Sequence, residues 1–144
     1  MIRRAVIDDK MRVIAMAKAF HAAAGLPFAF SAPHADALFR ASLIDGDRLC
    51  LIYAPDGTAR GALVAYAAQH QFTPVKVASE LMWWVDPEHR GLSAAKMLQA
   101  YEDWAAERGC VFASMVSLDG NVAPSKLYER RGYVPIERHF MKRI

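Results

Sequence analysis

Apolar and polar positions along the chain keep to two periods, and the changes of period divide it into elements. Residues 2–7 alternate weakly and suit a first strand. From Asp8 or Asp9 the period becomes helical. Acidic residues stand at the start, and Val13, Ile14, Met16, Ala17 and Phe20 form one face. Gly25-Leu26-Pro27 ends that helix, residues 26–33 form an apolar loop bounded by prolines, and a second helix fits His34 to about Ile44. Arg48–Tyr53 and Arg60 to about Gln69 read as strands around a Pro55-Asp56-Gly57 turn, hence a hairpin. Val77–Val85 is a third long strand, stopped by Asp86-Pro87.

The clearest helix runs from Ser93 or Ala94 to Arg108. Ala94, Met97, Leu98, Tyr101, Trp104 and Ala105 make its apolar stripe, and Gly109 suits the position just past its end. Cys110–Leu118 reads as a buried strand and 123–131 as a short helix ended by Gly132. Tyr133–Lys142 reads as one or two last strands. The pattern predicts a mixed α/β fold: a mostly antiparallel twisted sheet of about six to seven strands flanked by about four helices, with a βαβ crossover around the helix at 94–108.

Composition narrows the class. At 144 residues the chain is expected to form a single domain, 1–144, able to bury roughly two-thirds of its surface. Hydrophobic residues at 54% exclude a disordered chain. A net charge of +3 is too small to argue for nucleic acid, although it suits an anionic ligand where cations converge. Cys50 and Cys110 lie far apart with no metal or redox spacing, so no metal site and two free thiols are expected. Apolar runs are too short to span a membrane, and Asp8-Asp9-Lys10 interrupts any signal-peptide core, so the expected location is cytoplasmic.

The chemistry concentrates in Glu80–Ala95, where a strand enters a short loop holding Arg90, Gly91 and Ser93 and then a strong helix. The first N–H groups of a helix have no partners within it, and its dipole favours negative charge there. Arg90 adds a permanent cation, and Gly91 lets a ligand approach the backbone closely. The reading is a phosphate or pyrophosphate site; the alternative is a plain turn with Ser93 as helix cap.

Residues Asp86-Pro87-Glu88-His89-Arg90-Gly91-Leu92-Ser93-Ala94-Ala95 resemble the acyl-CoA-binding motif of the GNAT superfamily of N-acetyltransferases, Arg/Gln-x-x-Gly-x-Gly/Ala. Arg90 and Ala95 match, and Ser93 stands where glycine is usual. Asn121-Val-Ala-Pro-Ser-Lys-Leu127-Tyr128-Glu129-Arg130-Arg131-Gly132-Tyr133 resembles the family's C-terminal Asn-x-x-Ala-x-x-Leu-Tyr-x-x-x-Gly-Phe/Tyr motif, with Pro124 in place of Ala. The likeness is strong over residues 78–134.

The resemblance implies transfer of an acetyl or acyl group from acetyl-CoA to an amine by direct attack in a ternary complex. Tyr128 takes the family's general-acid position; its alternative is a core aromatic. Residues 90–95 (Arg90, Gly91, Leu92, Ser93, Ala94, Ala95) would hold the cofactor's diphosphate. Asn121 would hold the pantetheine chain or cap a helix. A backbone N–H near Trp84 or Val85 would stabilise the oxyanion.

The base is read from the residues. Glu80 is a lone carboxylate in an apolar strand, costly unless it meets water, a partner or a function. Strand alternation places Glu80, Met82 and Trp84 on one face, with Trp84 walling the acceptor pocket beside Glu80. Phe28, Phe30 and His34 lie in the loop that borders the acceptor site in the family, and are candidate substrate contacts. The acceptor stays open among antibiotics, polyamines, amino acids and protein amines, as does a homodimer. Two rivals remain: a degenerate member that binds acyl-CoA without turnover, and a small nucleic-acid-binding module.

Overall fold

Sheet order follows chain order because each new strand is laid beside the one before it. The structure, a computed structural model, describes residues 1–91 and 93–144. Its strands are β1 (Ile2–Arg4), β2 (Arg48–Tyr53), β3 (Gly61–Gln69), β4 (Lys76–Val85) and β5 (Phe112–Ser114), hydrogen-bonded in the order β1-β2-β3-β4-β5. The first three pairings are antiparallel and β4–β5 is parallel. Helices α1 (Lys10–Ala24) and α2 (Ala32–Ile44) lie between β1 and β2, α3 (Ala94–Glu107) crosses over between β4 and β5, and α4 (Val122–Arg130) follows β5. No helix among the described residues is long and apolar enough to cross a membrane.

The hairpin turn forms as its residues demand. Asp56 Oδ1 accepts from Thr58 N at 3.0 Å. Arg60 binds the same carboxylate, which with the Thr58 bond holds Asp56 down at about 2. In α3 the predicted stripe is the buried face: Met97, Leu98, Tyr101, Trp104 and Ala105 pack on Leu49, Leu63, Ala65 and Ala78. The opposite face of the sheet meets α1 and α2 through Val13, Met16, Phe39, Ile52, Ala62 and Met82. Cys50 is buried and Cys110 partly so, both as free thiols.

Four expectations are corrected. The sheet has five strands among the described residues, not six to seven. The strand expected over 110–118 shrinks to Phe112–Ser114, because β4 curves away beyond Ser79 and leaves nothing to pair with. Residues 133–142 form no strand, and no backbone hydrogen bond ties residues 134–142 to the sheet among the described residues.

The fourth correction concerns β4. Val64 pairs with Met82 and Ala65 with Glu80, so Leu81 is an unpaired extra residue, a β-bulge. The bulge reverses the alternation. Glu80 lies on the α3 side with Trp83 and Val85, whereas Met82 and Trp84 lie on the α1–α2 side. Trp84 therefore does not stand beside Glu80.

Candidate active site

β4 and β5 form a fork. They pair only from Val77–Phe112 to Ser79–Ser114, and the bulge at Leu81 bends β4 away immediately beyond. Past the branch, residues 82–85 are hydrogen-bonded to β3 on one side and have no strand on the other.

Glu80 sits at the crotch of this fork with 6% of its surface exposed. Its Oε2 accepts from the Val116 N–H at 3.0 Å. Burial pushes the carboxyl up to about 7, against the opposing pull of that hydrogen bond. Tyr128 approaches from α4, and its hydroxyl donates to the Val116 carbonyl at 2.8 Å. Burial first, then the charges of Glu80 and Tyr133, raise its phenol above the ordinary range. The backbone of Val116 thus links the two candidate catalytic groups.

Aromatic rings fix this geometry. Tyr128 stacks on Trp83 with centroids 6.3 Å apart and meets Tyr133 at 5.9 Å. Tyr133 donates to Glu102 at 3.1 Å, and Arg131 binds the same carboxylate, so α4 is tied to α3. Tyr101 donates to the Ser114 carbonyl at 2.8 Å, which holds β5 against α3 at the branch point. Val116 takes part only through its backbone N–H and carbonyl, which the residue type does not signal. The apolar stripe predicted for α3 includes Tyr101; a buried tyrosine hydroxyl needs a partner, and that is the available signal.

The loop after β4 turns at Gly91, whose φ of 105° suits glycine. Ser93 is the N-cap residue of α3, yet its hydroxyl caps nothing. Ser93 Oγ is buried with no hydrogen-bond partner among the described residues. The N–H groups of Ala94 and Ala95 stand in the first helical turn, before the first return bond, Met97 N to Ser93 O at 2.9 Å. An orphaned hydroxyl, a left-handed glycine and free amides together fit an anionic group. Leu92 lies outside the described residues. Arg90 folds back on β4: its Nε donates to Val85 O at 2.8 Å and its guanidinium lies 4.8 Å from the Trp84 ring centre.

Other candidates fall elsewhere. Trp84 Nε1 donates to Asp86 at 3.3 Å, and Arg12 of α1 binds the same carboxylate at 2.6 Å. That indole anchors α1 to the end of β4. Phe28 and Phe30 flank the His21 ring at 5.5 and 5.8 Å, a separate cluster, and His34 is exposed at the start of α2. Asn121 is the N-cap residue of α4 without a side-chain capping bond.

Two cavities lie apart from Glu80 and Tyr128. One of about 440 Å³ opens beside Ser93, Lys96 and Tyr53. One of about 260 Å³ lies against the end of α2, near Ser42 and Cys50. Glu80 and Tyr128 line neither. They face the open fork, and a gap between diverging strands encloses little volume.

A strand fork with a carboxyl and a phenol at its crotch, followed by a glycine turn into a helix start, defines a mixed α/β protein with a mostly antiparallel sheet. The model of the acetyltransferase (GNAT) family matches residues 14–133, so the chain belongs to that family, which uses acetyl-CoA. No curated protein sequence matches the chain.

Solved structures share its fold. A GCN5-related N-acetyltransferase from Ralstonia eutropha JMP134 is 25% identical with a TM-score of 0.75, covering 100% of this chain and 97% of that one. A predicted acetyltransferase from Clostridium acetobutylicum with acetyl-CoA is 15% identical with a TM-score of 0.81, covering 99% and 95%. AAC(6')-Iy in complex with the bisubstrate analog CoA-S-monomethyl-acetylneamine is 19% identical with a TM-score of 0.79, covering 100% and 97%.

Proposed function

We propose that the protein is an N-acetyltransferase that moves an acetyl group from acetyl-CoA to an amine acceptor by direct attack in a ternary complex. The observation that carries this reading is the convergence of Glu80 and Tyr128 on Val116 at the strand fork.

When bound, acetyl-CoA supplies an activated acyl group and a thiolate leaving group. The chain's residues do the rest. The main-chain amides and hydroxyl of residues 91 and 93–95 bind the diphosphate. The free side of β4 at Trp84 and Val85 orients the carbonyl and offers it an N–H. Glu80 accepts the proton that an ammonium acceptor must lose, directly or through one water. A carboxyl poised at about 7 accepts protons near neutrality while remaining a useful base. Tyr128 stays protonated at neutral pH and can turn its hydroxyl from the Val116 carbonyl to the departing sulfur. Asn121, at the start of α4, borders the same ligand. The sheet, its helices and this site act as a single domain.

Phe28, Phe30 and His34 are proposed to line the acceptor side. The bisubstrate analog in the AAC(6')-Iy structure carries an acetylneamine portion, which makes aminoglycoside amines one class to test. The enzyme is proposed to be cytoplasmic.

The test is release of free CoA thiol across a panel of amines, with calorimetric titration of CoA. Turnover with at least one amine, and a Tyr128→Phe variant that loses roughly 10- to 100-fold in kcat while CoA affinity holds, support the proposal. CoA binding without thiol release for every amine would instead indicate a non-catalytic acyl-CoA binder.

A further inference from the structure

The corner between α1 and α2 gathers aromatic rings and no carboxylate. Phe28 and Phe30 meet the His21 ring with centroids 5.5 and 5.8 Å away, tilted by 61° and 59°, so the three rings form walls rather than a stack. Phe28 is 53% exposed, which leaves one wall open to solvent. His21 Nε2 is buried with no hydrogen-bond partner among the described residues, a cost that a polar atom of a bound molecule would offset. Phe20, one residue earlier, packs with Met82 and Trp84, so the corner stands on the α1–α2 side of β4.

The charge along this segment has one sign. Residues 10–35 hold Lys10, Arg12 and Lys18, and neither Asp nor Glu. The carboxylates that bracket the segment are already paired, Asp9 with Arg3 at 2.7 Å and Asp36 with Arg40 at 3.1 Å. Asp86, across from α1 at the end of β4, is paired with Arg12. Asp8 precedes α1, roughly 17 Å of helix away from His21. A polyamine or an aminoglycoside needs several free carboxylates to replace the water around its ammonium groups, and unmatched like charge repels it. An aromatic body needs only other rings to pack on.

We propose that the acceptor is a monoamine with an aromatic body, which packs on Phe28 and Phe30 while its one amino group reaches Glu80. The inference rests on the proposed reading of this corner as the acceptor side, and it assigns that side a chemical class. Tyramine, whose phenol can meet His21, is the probe.

Calorimetric titration of the protein, both free and with saturating CoA, tests it, with thiol release from acetyl-CoA as the second reading. Tyramine should bind about tenfold or more tightly than spermidine or neamine. Phe28→Ala should weaken tyramine about tenfold with the thermal transition retained, because the side chain is half exposed. Phe28→Asp, which sets a carboxylate in the corner, should weaken tyramine and strengthen spermidine. Tyramine binding of this kind without thiol release supports the acceptor class and sinks the proposed reaction. Thiol release with spermidine or neamine at a kcat/KM equal to or above that of tyramine keeps the reaction and overturns the acceptor class. Tyramine affinity no better than that of spermidine, or unchanged in both Phe28 variants, overturns it as well.

Discussion

The two halves of β4 are one continuous strand with opposite surroundings. Residues 77–79 have a neighbour on each side, β3 and β5, whereas residues 82–85 have only β3. The first half is ordinary sheet interior. The second offers a row of backbone groups to whatever enters the fork. Leu81, the bulged residue between them, is 42% exposed and contributes little packing of its own. One inserted residue separates a segment paired on both sides from one paired on a single side, and it also decides which face each later side chain takes.

The sharpest way to break the contrast is to delete Leu81. Realigning β4 would drive Met82 and Trp84 toward α3 and pull Trp83 and Val85 out of their cluster. We expect loss of cooperative folding, or destabilisation by more than about 4 kcal/mol, measured by denaturant titration. A second change at the crotch leaves the fold alone. Glu80→Gln keeps an acceptor for Val116 N–H but removes the base, and kcat should fall roughly 10²–10⁴-fold.

Glu80 also sets two pH dependences. In the wild type, kcat/KM should rise with pH and level off above about 7. Because the folded-state value lies above the usual 4.5, folding favours the protonated form: its contribution is fully present below about 4.5 and lost as pH rises through about 7. Glu80→Gln should therefore unfold at a higher temperature than wild type at pH 8 and show a much smaller difference at pH 4. Equal behaviour at both values would remove the buried carboxyl from the account.

A smaller effect should follow from Val116→Pro, which deletes the N–H that Glu80 accepts while keeping an apolar residue. That bond lowers the Glu80 value, so the midpoint of the kcat/KM profile should move upward. An unmoved midpoint in a folded variant would show that Val116 does not tune the base. Smallest of all, Ser93→Ala removes a hydroxyl that has no partner among the described residues. Stability should stay within about 1 kcal/mol of wild type, whereas CoA affinity should fall several-fold by titration calorimetry.

The sequence made the local parts of this arrangement visible. The α3 stripe, the Asp56-Gly57 turn and the position of Glu80 in an apolar strand depend on neighbours within a few residues, and periodicity reports those. The face of Trp84 depends on the bulge, which no glycine or proline at Leu81 announces. The short β5 depends on how far β4 curves, and the missing C-terminal strand on whether an edge lies within reach. These are properties of pairing between distant segments. The helix start at Ser93 was legible, whereas its uncapped hydroxyl was not, since serine at that place usually bonds its own helix.

The burial of Cys50 bears on how turnover can be measured. Its thiol is pushed up to about 12, first by desolvation and then by the charge of Asp9, so almost none is thiolate near neutrality. The Cys110 thiol is raised too, chiefly by burial. A disulfide-based colour reagent added to a reaction mixture should therefore record liberated CoA over a slow background from Cys110 alone, with native protein at high concentration.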